Sequence, residues 1–240
     1  MNPNMKNIAA ALAVTLAGMA QAQSLTVLPV SIQLTPGQGA TSLTVLNQGD
    51  AETSVQVRVF AWNQTSGTDE LVESSSVLTS PPLAMIAPGT SQVIRLALRE
   101  VPVGKEATYR ILVDQIPAPA DPGTVRIALR LSIPVFAEPK TRTTPSISYR
   151  IERKGSQAWL VAANDGSRHD TIRDIALTAK GSPVLGTGAN ASPYVLAGAT
   201  RRWMIESPGG ALPEVGGTMR LTGKGDSGPV DQLVRVVASR

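Results

Sequence analysis

Cysteine is absent from the 240 residues of the chain, and histidine occurs once. Without cysteine the chain cannot form disulfide bonds, thiolate metal sites or a cysteine nucleophile. Phenylalanine, tryptophan and tyrosine together make up 3% of the sequence, which leaves few rings on which nucleic-acid bases or sugars could stack. These absences disfavour several classes of enzyme and of binding protein, and they leave the packing of apolar side chains to stabilise the fold.

The single histidine, His169, lies in the polar, turn-like segment 164–170. A serine hydrolase would require a Gly-x-Ser-x-Gly elbow and a zinc hydrolase a His-Glu-x-x-His helix, and neither motif accompanies it. The glycine-rich stretches also lack the phosphate-binding Walker spacing. We therefore predict that His169 is a surface residue, that the chain is not an enzyme, and that it binds no metal or cofactor.

Charged residues are spread along the chain rather than clustered. There are 22 lysines and arginines against 18 acidic residues, and Arg201-Arg202 is the only pair of adjacent arginines. Nucleic-acid binding usually requires a cluster of cations on one surface. The pattern predicts a solvated surface and no nucleic-acid partner.

One long apolar run occurs, at residues 8–20, after Lys6 and before Ala20-Gln21-Ala22. A positive residue, a short apolar run and small residues at a cleavage site are typical of a secretory signal peptide. The run is shorter than the roughly 20 residues that span a bilayer. The pattern predicts a signal peptide over residues 1–22, cleavage before Gln23, and export without stable membrane insertion.

Most of the remaining sequence has the pattern of short β-strands. Runs rich in β-branched residues, such as 54–60, are separated by turn sequences such as Pro88-Gly89. About seven runs lie between residues 25 and 136, the number of strands in an immunoglobulin-like sandwich. The fold class predicted from this pattern is all-β.

A break in the pattern divides the chain into two parts. Residues 138–145 contain two prolines and no apolar alternation, which is typical of a linker. Cleavage of the signal peptide leaves 218 residues, enough for two domains of about 100 residues each. We predict two immunoglobulin-like β-sandwich domains, at residues 23–137 and 146–240.

The longest alternating run covers residues 124–136. Every odd-numbered residue from Val125 to Val135 is aliphatic, so these side chains form one apolar row along one face of a strand. One interpretation is that the row packs into the core of its own domain, as in other half-buried sheets. The other interpretation is that part of the row stays free to bind another protein.

Eight segments of the first domain resemble a known family in the same order. They lie at residues 43–49, 55–62, 79–82, 86–89, 92–95, 109–112, 115–117 and 127–136, and the last reads Ile127-Ala-Leu-Arg-Leu-Ser-Ile-Pro-Val-Phe136. The family is that of the periplasmic chaperones that assemble pili by the chaperone–usher pathway, especially the archaic branch that works with spore-coat-U-like pilins. The second domain resembles the family only in length and strand character.

The resemblance implies a boomerang of two immunoglobulin-like domains that donates the last strand of its first domain to a pilin subunit. The main donor residues of the family match Val125, Ile127 and Leu129, and Leu131 and Ile133 continue the row. A pilin without its last strand exposes unpaired backbone groups, so the donated strand protects it from aggregation. The resemblance further implies a periplasmic location and delivery of the pilin to an outer-membrane usher.

The resemblance also implies two cations in the interdomain cleft that hold the C-terminal carboxylate of the pilin. Here the sequence departs from the family, because the arginine position matches Ser31 and the lysine position matches Pro134. Arg110 is the first candidate for a replacement, since an arginine in mid-strand among apolar neighbours needs an anionic partner. The alternative is that Arg110 pairs with Asp114, four residues further along the same strand.

Two other cations, Arg130 and Lys140, are further candidates for the carboxylate anchor. The strand that contains Arg110 is expected to pair antiparallel with the donor strand. An exposed apolar edge of this length also favours self-association of the free protein.

Two other functions are compatible with exported β-sandwiches. The chain could be an adhesin or pilus subunit, but such subunits are shorter, usually contain cysteine, and carry an N-terminal donor extension for which residues 23–29 are too short. It could instead bind carbohydrate, but carbohydrate sites generally need aromatic platforms, which the composition disfavours.

Overall fold

A computed structural model of the protein describes residues 25–117, 123, 125, 127–179, 184–188, 192–207 and 212–239. The predicted signal peptide lies outside the described residues. The described residues form nineteen strands and no helix, so none of them belongs to a helix long and apolar enough to cross a membrane.

The first domain contains ten strands, arranged in two sheets. The strands are β1 (Leu25–Leu28), β2 (Ile32–Leu34), β3 (Ala40–Asn47), β4 (Thr53–Asn63), β5 (Glu70–Glu73), β6 (Val77–Ser80), β7 (Leu83–Ile86), β8 (Ser91–Leu98), β9 (Ala107–Ile116) and β10 (Arg130–Ala137). The four-stranded sheet has the order β1-β3-β8-β6, and the six-stranded sheet has the order β2-β10-β9-β4-β5 with β7 paired to β4. The strand with Arg110, β9, pairs antiparallel with β10, as predicted.

The core of the first domain lies between its two sheets. Val45 and Ile94 project into it from the four-stranded sheet, and Val57, Ile111 and Val135 project from the six-stranded sheet. Because successive residues of a strand point to opposite faces, the residues between these core positions lie on the outward faces. The outward face of the six-stranded sheet therefore carries the even-numbered residues of β4, β9 and β10.

The second domain contains nine strands. They are β11 (Ile147–Lys154), β12 (Gln157–Asn164), β13 (Asp170–Thr171), β14 (Arg173–Thr178), β15 (Gly186–Thr187), β16 (Tyr194–Val195), β17 (Thr200–Glu206), β18 (Thr218–Gly225) and β19 (Gly228–Ala238). Seven of them form a sheet with the order β14-β18-β19-β11-β12-β17-β15, and β13 pairs with β16. The two-domain, all-β sandwich fold predicted from the sequence is confirmed.

Both domains use the same asparagine motif where a strand ends. Asn47 ends β3 and Asn164 ends β12, and in each case Nδ2 donates a hydrogen bond to the carbonyl oxygen four residues ahead. Each Nδ2 also donates to a carbonyl on a neighbouring segment, that of Ile86 in the first domain and Val195 in the second. The two domains therefore share this motif at the end of a strand.

The asparagine of the second domain also fixes the end of the interdomain linker. Asn164 Oδ1 accepts hydrogen bonds from the backbone N–H groups of Ser146 and Gly166, each at 3.0 Å. A Cβ atom on Gly166 would lie 2.4 Å from the carbonyl oxygen of Thr144, so only glycine allows the linker to pass this closely. These contacts hold the end of the linker, at residues 144–146, against the second domain.

The two domains meet through a small apolar cluster. Trp62 of β4 and Phe136 of β10 pack against Leu196, with Tyr194 at the margin. Gln64 joins the domains by hydrogen bonds, since its Nε2 donates to the carbonyl of Tyr194 at 2.9 Å and its Oε1 accepts the Leu196 N–H at 3.0 Å. The last strand of the first domain therefore takes part in the interface through Phe136.

Candidate functional site

The side chains of the apolar row become more exposed from Ile133 toward the N-terminal residue Val125. Ile133 is 3% exposed and belongs to the core. Leu131 and Leu129 are partly buried against that core. Ile127 and Val125 are 81% and 91% exposed, respectively. The row is therefore packed at one end and free at the other, which combines the two interpretations that the sequence left open.

Ladder pairing covers only part of this row. Strand β10 begins at Arg130, and residues 124 and 126 of the predicted strand lie outside the described residues. The backbone of Leu129 is still held by Gln115, whose N–H donates to the Leu129 carbonyl at 2.9 Å. Ile133, which was predicted at the inner end of the donor row, is buried in the core of its own domain.

One edge of β10 lacks a strand partner over part of its length. On one side β9 pairs with all of β10, from Arg130 to Ala137. On the other side β2 pairs only with Val135 to Ala137, so among the described strands none covers residues 130–134 there. Backbone groups along an uncovered edge can accept another strand. The free edge and the exposed end of the apolar row are thus adjacent.

Arg110 lies on the outward face of β9, opposite Pro134 of β10. Its guanidinium carbon is 3.8 Å from the centre of the Trp62 ring and 5.6 Å from that of Tyr194. Desolvation lowers the pKa of Arg110 below its ordinary value, an effect that the nearby Asp69 carboxylate partly offsets. Arginine nonetheless stays charged in proteins. A cation therefore sits beside Pro134, the position at which the family resemblance placed a lysine.

The alternative pairing of Arg110 with Asp114 is wrong. Asp114 Oδ2 accepts hydrogen bonds from Arg58 Nε and Nη2 at 2.9 and 2.8 Å, and its Oδ1 accepts one from Arg130 Nε. Among the described residues Arg110 makes no hydrogen bond or ion pair. Two arginines on the neighbouring strands thus pair with Asp114. Arg130 lies directly opposite Asp114 in the ladder, whereas Arg58 reaches it diagonally, because its own ladder partner is Leu112.

The other two candidate cations are placed differently. Arg130 is paired with Asp114 and is therefore not a free charge. Lys140 is exposed in the linker beside Pro139 and Val103, away from any strand. Of the three candidates, only Arg110 combines partial burial with unoccupied donor groups.

Asp114→Asn is expected to lower the free energy of unfolding at neutral pH by about 1–3 kcal/mol, because charge-assisted hydrogen bonds are lost. Partial burial raises the pKa of the Asp114 carboxyl, but hydrogen bonds and charges from Arg130 and Arg58 outweigh it and hold this pKa below its ordinary value. A carboxyl with a depressed pKa stabilises the fold above its unfolded pKa of about 3.9, and the stabilisation is lost as pH falls through the folded pKa.

Urea titrations of the parent and Asp114→Asn at a series of pH values measure this effect. The difference in stability between them should be constant above about pH 5 and should shrink at acidic pH. A difference that persists unchanged at the acidic end would mean that asparagine disturbs the packing rather than the charge.

The charge balance around Arg110 is uneven. Asp69 Oδ1 accepts hydrogen bonds from Trp62 Nε1 at 3.0 Å and Gln64 Nε2 at 2.8 Å, and it lies 3.2 Å from Arg201 Nη1. Arg201 is buried, and its Nε and Nη1 atoms have no hydrogen-bond partner among the residues that the structure describes. Of the two arginines, only Arg201 forms an ion pair with Asp69, and the charges of both Arg201 and Asp69 act on the pKa of Arg110. One further negative charge would balance the cluster.

His169 is not a surface residue, contrary to the prediction. It is 8% exposed, and its ring stacks on Phe136 with centroids 3.6 Å apart. Its Nδ1 lies 2.7 Å from Oε2 of Glu106, which also accepts the His169 backbone N–H at 2.9 Å. The polar sequence around His169 correctly indicates a turn, but Glu106 and Phe136 of the first domain pack against the histidine in that turn. His169 therefore joins the two domains.

Several residues of the cleft were not found from the sequence. Asp69, Tyr194 and Arg201 carried no motif that could point to them, and the last two lie more than 80 positions away from Arg110. Trp62 fell within a segment that resembles the chaperone family, so its position was identified but not its contact with Arg110. Among the described residues no group of three or more histidine, aspartate and glutamate side chains could hold a metal ion.

Fold and site together define a class, that of two-domain β-sandwich proteins in which the last strand of the first domain has an open, apolar edge. Residues 24–142 match the family model described as "Pili and flagellar-assembly chaperone, PapD N-terminal domain". The chain belongs to this family of pilus-assembly chaperones, which confirms the resemblance found in the sequence. Comparison with curated protein sequences gives no match.

Solved structures of pilus chaperones have the same fold. A similar one is the CsuC–CsuE chaperone and tip-adhesion-subunit complex from archaic Csu pili of Acinetobacter baumannii, at 26% identity and a TM-score of 0.63, covering 90% of this chain and 100% of that one. Salmonella enterica SafA pilin with the SafB chaperone matches at 14% identity and a TM-score of 0.62, covering 89% and 98%. The E. coli chaperone DraB matches at 19% identity and a TM-score of 0.56, covering 90% and 97%.

Proposed function

We propose that this chain is a periplasmic chaperone that captures pilin subunits by donor-strand complementation and delivers them to an outer-membrane usher. The 26% identical relative forms a pre-assembly complex with a tip adhesion subunit, and SafB forms a complex with a pilin. A protein of the same fold and family is expected to bind subunits of the same kind. Because that relative belongs to an archaic system, we assign this chain to the archaic branch.

The observation that carries the proposal is the emergence of the apolar row beside a free strand edge. Val125 and Ile127 are almost fully exposed, and no described strand pairs with residues 130–134 on one side. An added strand gains affinity from backbone hydrogen bonds along the edge and specificity from alternate side chains. We assign the donor row to Val125, Ile127 and Leu129, with Leu131 at its inner end.

The energy available from this row suits a reversible complex. Burying a large aliphatic side chain contributes about 1.5–3 kcal/mol, and Val125 and Ile127 have nearly all of their area left to bury. The ordering of the segment and the loss of free motion of the subunit offset part of this gain. The complex should therefore hold a subunit but still permit its transfer to the usher.

We assign the anchor for the C-terminal carboxylate of the pilin to Arg110. The guanidinium group has in-plane donors that no described residue occupies, and a carboxylate can accept two of them at once. Such a carboxylate would also supply the negative charge that Arg110, Arg201 and Asp69 together lack. The anchor on β9 then lies on the other side of β10 from the free edge. The C-terminal end of the bound pilin strand would reach it there.

Co-expression of this chain with the usher-system pilins of the same bacterium tests the proposed function. A pilin subunit should copurify from a periplasmic extract and should be degraded or aggregated when the chaperone is omitted. Failure of every such subunit to copurify would overturn the proposal. Binding to carbohydrate or to cell surfaces in place of pilins would favour the adhesin alternative.

Arg110→Glu is expected to weaken capture of the copurifying pilin by about tenfold or more, because a charge-assisted contact is replaced by repulsion of the carboxylate. Its effect on the melting temperature should be small by comparison, since Arg110 forms no ion pair with any residue that the structure describes. Capture is measured by titration of the refolding pilin, and the melting temperature by circular dichroism.

Arg95→Glu provides the matched control for this substitution. Arg95 is exposed in β8, which belongs to the other sheet of the first domain, and the substitution makes the same change in charge. It should leave capture within about twofold of the parent. Equal effects of the two substitutions on capture would contradict the anchor and would indicate a general effect of net charge.

A further inference from the structure

The aromatic surroundings of Arg110 come from both domains. Its guanidinium carbon lies over Trp62 of the first domain and 5.6 Å from the ring centre of Tyr194, which belongs to the second domain. The two rings meet edge to face, with centroids 5.3 Å apart. Arg110 therefore lies near one ring of its own domain, that of Trp62, and one ring of the second domain, that of Tyr194.

The position of Tyr194 is set by contacts between the domains. Its carbonyl oxygen accepts a hydrogen bond from Gln64 of the first domain at 2.9 Å, and its ring also lies 5.4 Å from that of Phe136. Within the second domain its backbone pairs with Thr171. The ring is thus held over the cleft by both domains, and separation of the domains would remove it from Arg110.

The chemistry of arginine makes such a ring useful. A guanidinium group attracts aromatic rings over its planar faces, whereas its N–H donors point outward in the plane. Contacts with rings can therefore restrict the group without consuming the donors that a carboxylate needs. Because no hydrogen bond or ion pair to a described residue holds Arg110, the rings are what limits its motion.

We propose that Tyr194 is a positioning residue for Arg110, so that the second domain sets the affinity of the first for the C-terminal carboxylate of the client. This inference rests on the proposed function, in which Arg110 is the anchor. It assigns the second domain a defined part in binding, although the donor row and the anchor both belong to the first. Arg201 of the second domain, which forms an ion pair with Asp69 of the first domain, adds to the same coupling by holding a carboxylate whose charge acts on Arg110.

The test is a double-mutant cycle on the full chain, with the pilin that copurifies with the parent as the probe. Tyr194→Leu removes the ring but keeps apolar volume in the interdomain cluster, and Tyr194→Phe keeps the ring. Each is made in the parent and in an Arg110→Ala background. Dissociation constants are measured for the pilin with its native C-terminus and for the same pilin extended by two glycines.

We expect Tyr194→Leu to weaken binding of the native pilin by about tenfold, the effect of losing one cation–π contact. Tyr194→Phe should bind within about twofold of the parent. The effect of Tyr194→Leu should disappear in the Arg110→Ala background and with the extended pilin, since in both cases the contact with the carboxylate is already lost.

Three results would separate failure of this inference from failure of the function. If Arg110→Ala weakens binding but Tyr194→Leu does not, Tyr194 does not position the anchor. If Tyr194→Leu weakens binding equally in the Arg110→Ala background, it acts by loosening the domain interface, and the inference is wrong. If Arg110→Ala and the C-terminal extension both leave binding unchanged, the anchor itself is wrong, whereas donor-strand binding could still be measured through Ile127.

Discussion

Ile127→Asp is expected to abolish capture of pilin subunits while leaving the chaperone folded. The side chain is 81% exposed in the free protein, so aspartate there meets water and should change the free energy of unfolding by no more than about 0.5 kcal/mol. In the complex the same position would enter an apolar groove. The substitution then loses about 1.5–3 kcal/mol of apolar burial and adds the cost of burying an unpaired carboxylate.

Together these terms correspond to a loss of affinity of about a thousandfold or more. Capture is measured as the amount of pilin that copurifies from the periplasm and as the concentration of chaperone that prevents aggregation of refolding pilin. Circular dichroism and chemical denaturation establish that the variant is folded.

Val103→Asp is the matched control, because Val103 is likewise largely exposed, at 91%, but lies in a loop between β8 and β9. It should capture pilin as well as the parent does. If Ile127→Asp captured pilin normally, the assignment of the donor row would be wrong. If it failed to fold, residue 127 would belong to the core of its own domain.

Ile133→Ala is expected to destabilise the first domain by about 2–5 kcal/mol, because it removes three carbon atoms from a closely packed core. Ile133 is 3% exposed and packs with the residues between the two sheets. The expected change is a large fraction of the stability of a domain this size. The midpoint of denaturation, followed by tryptophan fluorescence, provides the measurement.

Ile127→Ala is the control for this substitution, since it makes the same chemical change in the same apolar row. It should shift the stability by less than about 0.5 kcal/mol. Equal destabilisation by both substitutions would show that the row is packed along its whole length. No destabilisation by either would show that Ile133 is free, and would return it to the donor row.

Much of the fold could be predicted because strand formation is a local property. The run of β-branched residues at 54–60 predicted a strand where the structure has β4 (Thr53–Asn63). The two-residue period of a strand placed Arg110 on the face opposite the core residues Ile111 and Val113. Alternation assigns a side chain to a face of a sheet, but it does not say what covers that face.

For this reason the candidate site was only partly predicted. Asp114 was a reasonable partner for Arg110 along one strand, yet Arg58 and Arg130 reach it from the two neighbouring strands. His169 was expected at the surface, because its own turn is polar, yet Phe136 and Glu106 of the other domain cover it. Each error concerned a contact between segments that are far apart in the sequence.

By itself, the sequence determined that the chain is built of strands, which residues share a face, and that its first domain resembles pilus chaperones. Ile127 and Ile133 are the same residue type on the same face of the same row, and nothing local distinguishes them. Only the tertiary structure decided that Ile133 is buried and Ile127 exposed. The physical reason is that burial depends on where the partner strands end, and β9 and β2 stop short of the outer part of the row.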